Sequence, residues 1–333
     1  MDRMDFTHAV ARIRVIEKRL LDKIKIERML EANTPSEVLK VLQETQYGEL
    51  ITNSNNYHDF ENILKEELRA LYYNMYKITP DKSILDILTL KYDYHNIKVL
   101  LKGKMQEKDF SNLLISIGTV SIDTLKNSII SDELRDLPDM MRTAIENVKE
   151  DFSDNKNPQN IDISLDKYMF ADMLKRAEIS KEDFLINYIK NLIDISNIKA
   201  MLRVKKQNND SRFLQFVIIN GGNIPQNSLL KGLNNSFEDF INEISRFDYS
   251  KPLINSLDTY NKTGNISIIE VLYDNYLINS LKKAKFVNFG AEPLIAYIIA
   301  KEMEIKIVRI IMIGKINNVP VNVIKERLRE LYA

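Results

Sequence analysis

The chain reads as an all-α protein made of three similar multi-helix units, and three observations carry that expectation. Glycine and proline number 9 and 8 in 333 residues, against roughly 23 and 17 at average usage, so few positions break a helix. Apolar residues recur at helical spacing, and no period-two alternation runs beyond a few residues. One phrase is written three times: DYHNIKVLLKGK from Asp93, DISNIKAMLRVK from Asp194 and EIKIVRIIMIGK from Glu304.

In chain order, the first element is a charged amphipathic helix from about Thr7 to Ala32. Its Val10, Ile13, Ile16, Leu20, Ile24 and Met29 lie near helical spacing. NTPSEVLKVLQ opens a second helix, with Asn33 or Thr34 as cap and Pro35 in the first turn. FENILKEELRALYYNMYKI is a third and DKSILDILTLKYDYHNIKVLLKGK a fourth, and helices with short polar links fill the rest. The least ordered link is expected at FSDNKNPQN, from Phe152 to Asn160.

The three phrases start 101 residues apart (93 to 194) and 110 apart (194 to 304). Such a period is too long for a helical hairpin, so each unit is a small multi-helix domain: residues 1–115, 116–220 and 221–333 are the expected boundaries. Asp93, Asp194 and Glu304 open the phrases. Lys98, Lys199 and Arg309 follow five positions later, and Lys104, Lys205 and Lys315 close them. A second phrase with helix-start chemistry follows as GTVSIDTL from Gly118, GNIPQNSL from Gly222 and NNVPVNVI from Asn317. In the third copy it comes early, as if the last unit hands its final helix to another. On a helix, the acid, two apolar positions and the closing Lys share one stripe, while the base five positions on lies about 140° away from the acid. That base faces something other than its own helix's acid: solvent, a neighbouring helix, or a partner.

Composition narrows the function. Lys plus Arg and Asp plus Glu are 47 each, for zero formal net charge, which removes the long-range positive field of a nucleic-acid binder. The absence of Cys excludes disulfides and thiolate chemistry, and His8, His58 and His95 have no zinc spacing. NGGN at Asn220 lacks the Lys-Ser/Thr of a phosphate loop and reads as a helix terminator, and paired acids such as Glu66-Glu67 sit in charged helix surfaces. No catalytic constellation or cofactor is expected. The N-terminus has no signal-peptide pattern, and the apolar runs fall short of the roughly 18 residues a bilayer crossing needs. A cytoplasmic location is the expectation.

The run FGAEPLIAYIIAKEMEIKIVRIIMIGKINNVPVNVIKERLRELY, with the two D-x-x-NIK helices, resembles the C subunit of archaeal-type and bacterial V-type ATP synthases, equivalent to the d subunit of the eukaryotic vacuolar ATPase. The likeness spans the whole chain, and its most specific stretch runs from Gly290 to Lys315. It implies three helical domains in a pseudo-threefold funnel, seated on the cytoplasmic mouth of the membrane rotor ring. The cavity would receive the D and F subunits of the central stalk, with membrane contact only through the ring, no nucleic-acid partner, and ATP chemistry elsewhere in the machine. By this resemblance Asp93, Lys98, Asp194, Lys199, Arg203, Glu304 and Arg309 are the candidate partner-facing residues. The alternative is a helical-repeat scaffold of another assembly, against which the long repeat period counts.

Overall fold

The computed structural model describes residues 2–51 and 56–333, and among these residues it is all-helical with no β-strand. The chain opens with α1 (Thr7–Ile16), α2 (Lys23–Glu31), α3 (Pro35–Gln43), α4 (Gly48–Ile51) and α5 (Phe60–Ile78). There follow α6 (Lys82–Gln106), α7 (Ile122–Ser131), α8 (Asp139–Asn155), α9 (Pro158–Ser180), α10 (Asp183–Lys206), α11 (Ser211–Val217) and α12 (Gln226–Asn234). It closes with α13 (Phe237–Glu243), α14 (Ser250–Thr263), α15 (Ser267–Leu281), α16 (Glu292–Ile316) and α17 (Val321–Lys325). Packing groups these into two compact units, one of residues 1–81 with 236–333, the other of residues 82–235.

In the unit of residues 82–235, α9 packs against α6, α8 and α10, while α7 lies on α6 and α12 on α10. The pattern that builds it is plain in α8, where Met141, Ala144, Ile145 and Val148 are buried at i, i+3, i+4 and i+7. The link expected to be loose is a tight corner instead. Lys156 ends α8 at φ 49°, and the Asn157 side chain caps α9 with Pro158 in its first turn. Asn and Pro mark a helix boundary here, which needs only two residues.

In the other unit, α16 is the centre. Residues 293–301 are all buried without interruption, and α1, α3, α5, α15 and α17 surround the helix. A helix apolar on every side is stable only when covered on every side. Truncating fully buried Ile295 or Leu294 to Ala costs about 2–5 kcal/mol.

The amphipathic stretch expected to run unbroken from Thr7 to Ala32 is two helices. α1 ends at Ile16, a 3-10 turn spans Glu17–Arg19, and Leu20 is extended at ψ 149°. Asp22 then starts α2 by accepting the Lys25 N–H at 2.8 Å. The extended Leu20 lets Leu20 and Leu21 both turn inward, and Asp22 is a strong N-cap that restarts the helix.

Candidate functional site: one helix clamp in three copies

The repeated phrase forms the middle and later turns of α6, α10 and α16, and its acid is buried in every copy, Asp93 and Asp194 at 0% exposure and Glu304 at 3%. Each acid receives backbone N–H groups from the turn that leads into a short helix. Asp93 accepts from Thr119 N–H at 2.8 Å and Val120 N–H at 3.1 Å, just before α7. Asp194 accepts from Asn223 N–H at 3.0 Å and Ile224 N–H at 2.9 Å, just before α12. Glu304 accepts from Leu21 N–H at 2.5 Å, just before α2.

The closing Lys holds the other end of the same short helix. Lys104 donates to Ile129 O at 2.7 Å at the end of α7, and Lys205 donates to Gly232 O at 3.2 Å and to Asn235 O at the end of α12. Lys315 donates to Leu30 O and Ala32 O, both at 2.6 Å, at the end of α2. Acid and Lys, eleven residues apart, are separated by about 16 Å along the axis. That matches a short helix of nine or ten residues plus its lead-in turn. An anion sits at the positive end and a cation at the negative end, where each satisfies backbone groups the helix leaves unpaired. This is why the phrase repeats: each copy clamps one helix lengthwise.

The third clamp is closed by the N-terminal segment, not by the sequence after Glu304. The run NNVPVNVI, expected to supply its turn, ends α16 and starts α17, whose N-cap is Pro320. Its counterparts are the C-terminal turns of the other two long helices. Glu107, Asn208 and Asn318 adopt φ of 52°, 55° and 52°. The next N–H bonds back to Gly103 O, Val204 O and Gly314 O at 3.0, 3.1 and 2.8 Å, the same helix-ending motif each time.

Glycines explain why two acids are Asp and one is Glu. A Cβ on Gly118 would lie 2.0 Å from Asp93 Oδ1, and one on Gly222 would lie 2.2 Å from Asp194 Oδ1. The missing side chain lets the turn approach a short carboxylate. At the equivalent place before Leu20 stands Arg19, and the longer Glu304 spans the gap. Asn96 and Asn197 add paired bonds to both backbone groups of Ile115 and Ile219, at 2.8–2.9 Å. In the third copy buried Ile307 replaces them.

Around Glu304 the clamp is ionic. Lys301, 1% exposed, pairs with Glu67 at 2.8 Å and with Glu304, and its ammonium lies 4.3 Å from the Tyr47 ring centre. Tyr47 donates to Glu304 Oε1 at 2.9 Å. Burial, then the carboxylates of Glu304 and Glu67, push the Tyr47 hydroxyl far above its usual range, so it stays a donor. Burial likewise raises the Asp93 carboxyl, against the N–H groups of Thr119 and Val120 that favour its charge.

The remaining candidates lie on other faces. Lys98 pairs with Asp166 of α9 at 2.5 Å, and Arg309 pairs with Glu61 of α5 at 2.9 Å, all four side chains part-exposed. Lys199 and Arg203 line one groove of about 430 Å³ beside Asp166, Met169 and Phe213. Acid and base of one phrase thus have separate partners, as their angular separation requires. Gly118, Gly222 and Lys301 were not among the candidate residues, though a signal existed in the glycine that opens both second phrases; Glu67, expected on a charged helix surface, is instead buried against Lys301. Among the described residues no His, Cys, Asp or Glu cluster is arranged for a metal ion, and no helix is long and apolar enough to cross a membrane.

An all-helical architecture whose recurring polar chemistry braces its own helices defines a helical-repeat protein. The family model described as ATP synthase (C/AC39) subunit matches residues 9–327, and the chain belongs to that family. It is 29% identical to the C subunit of the V-type sodium ATPase of Enterococcus hirae over 320 residues, covering 96% of this chain and 97% of that one. It is 27% identical to the C subunit of the A-type ATP synthase of Methanocaldococcus jannaschii, covering 99% and 88%. The corresponding protein of Methanosphaera stadtmanae is 25% identical, covering 98% and 89%.

Proposed function

We propose that this chain is a non-catalytic central-axis component of a V/A-type rotary ATPase, a socket that couples the D and F subunits of the central stalk to the membrane rotor ring on its cytoplasmic face. ATP turnover and ion translocation belong to other parts of the machine. One observation carries the reading beyond family membership: the same clamp recurs three times, and the third is closed by the chain's own N-terminal segment. Three equivalent braced modules suit a part that must pass torque without deforming, since clamped helix ends resist sliding. The long helices α6, α10 and α16 fall one to each of the segments 1–115, 116–220 and 221–333, and each clamps a short helix of the next segment in cyclic order, α7, α12 and α2.

The acids Asp93, Asp194 and Glu304 serve this role from inside, by fixing the turns. Lys98, Lys199, Arg203 and Arg309, at least part of whose charge faces the surface, supply the polar contacts to stalk and ring. Polar contacts suit an interface that dissociates, as a large apolar one does not.

The test is native mass spectrometry of the chain mixed with the stalk's D and F subunits from the same organism, at low and moderate salt. A stoichiometric ternary complex that weakens with salt is expected. A chain that stays alone while D and F pair with each other would sink the socket reading.

A further inference from the structure

Between α1 and α5 lies an open groove of about 660 Å³ that none of the clamps occupies. Ala11 and Val15 of α1 and Leu71 and Met75 of α5 give it apolar walls, and Val15 is 60% exposed. Glu67 and Lys301 form part of its floor, where Lys301 is shared between Glu67 and the buried Glu304 and offers no free positive charge. The rim is different. Arg12, Arg19 and Lys77 outnumber Glu49 there, and neither Arg12 nor Arg19 forms an ion pair with any described residue. Gln46 also lines the groove, and its Nε2 is buried without an acceptor.

Along α5 the groove extends from Glu67 to Ile78, which at 1.5 Å per residue is about 16 Å, or three turns of a guest helix. Apolar residues on both walls meet the i, i+3, i+4, i+7 face of an amphipathic helix. The basic rim and the unpaired amide donor select carboxylates on its flanks.

We propose that this groove binds one acidic amphipathic α-helix, about three turns long, from a partner protein. The proposal rests on the assembly reading above, because the guest comes from the assembled machine. The apolar face of the guest covers Val15, 60% exposed, and the half-buried Ile78. Its carboxylates lie against Arg12 and Arg19, and one acceptor reaches Gln46.

The chain has no cysteine, so Val15→Cys supplies a single thiol. Its rate of maleimide labelling is measured in the isolated chain and in the assembled ATPase, with Asn74→Cys on the opposite wall as a second probe should the first variant fold poorly. Protection of about tenfold or more on assembly is expected, as in the core of an interface. A benzophenone on the same thiol should crosslink to a helical segment carrying Asp or Glu. Labelling at the isolated-chain rate within an assembled complex overturns the proposal. A crosslink to lipid, to a second copy of this chain or to a basic segment overturns it too. Failure of the chain to assemble at all overturns the assembly reading, and this proposal with it.

Discussion

Glu304 and Leu21 meet across 283 positions of sequence: Glu304 Oε2 accepts the Leu21 backbone N–H at 2.5 Å. The bond ties the lead-in turn of α2 to α16 and shares its carboxylate with Lys301 and Tyr47. Replacing Glu304 with Gln removes the charge while Lys301 stays buried, and should cost about 2–4 kcal/mol. Glu304→Asp should also destabilise, since no glycine stands before Leu20 to bring the turn closer. Urea unfolding at unchanged m checks the magnitude. A loss below about 0.5 kcal/mol would mean water replaces the carboxylate and the clamp contributes little.

Gly118→Ala places a methyl on Asp93 Oδ1, the atom only 2.0 Å from the ideal Cβ position. Because the carboxylate is the obstacle, the cost should depend on it. Gly118→Ala is expected to lose about 1–3 kcal/mol in the native chain and much less in an Asp93→Ala background. Additive losses in that double-mutant cycle would show that the added methyl is accommodated without disturbing the carboxylate.

The helices themselves were legible in the sequence because caps and periodicity are local. FENILKEELRALYYNMYKI is α5 residue for residue, and Thr34 caps α3 as its position suggests. The eleven-residue distance from acid to Lys was legible too, but its meaning was not. Asp93 and Asp194 bond to turns 26 to 30 residues downstream, whereas Glu304 bonds far upstream, and no short-range pattern encodes that jump. Pro320 and Asn317 mimic the missing turn because any helix start favours such residues. The break at Leu20 is hidden for the opposite reason: Leu20, Ile24 and Met29 lie near helical spacing across it.

The three closing lysines should not be equal. Lys315 is buried and serves two carbonyls at 2.6 Å, whereas the Lys104 side chain is 37% exposed and shares Asp132 with Lys149. Lys315→Met should cost about 1–3 kcal/mol by stranding Leu30 O and Ala32 O. Lys104→Met should cost about 1 kcal/mol or less. Amide exchange in the last turn of α2 should quicken in the first variant only. Equal losses would show that the carbonyls at both helix ends find water.

Glu44 joins α2 and α3 electrostatically. Its hydrogen bonds to Arg28, then Lys25, lower its pKa from 4.5 to about 2. Between those values the unfolded chain binds the proton and the folded chain does not, so stability rises with pH across that window. This contribution is complete above 4.5 and fades as pH falls through about 2. A carboxyl-carbon titration followed by NMR should place the Glu44 midpoint near the lower value and return it towards the upper in Arg28→Gln. An unshifted midpoint in the native chain would show that the exposed triad is solvated rather than paired.

Arg309 lies 2.9 Å from Glu61, and both side chains are near 40% exposed. Such a pair contributes about 1 kcal/mol or less, so Arg309→Glu should lower the melting temperature by only a few degrees. In the assembled machine the same variant should weaken the coupling of ATP hydrolysis to ion pumping by a larger factor, because part of the guanidinium faces outward. The double swap Arg309→Glu with Glu61→Arg separates the two roles, since it restores an ion pair between α5 and α16 with the charges exchanged. Recovered melting with coupling still impaired is the expected result, and it assigns the guanidinium to a partner surface. Recovery of both would make Arg309 an interhelical tie and remove it from the proposed contact residues, leaving Lys98, Lys199 and Arg203.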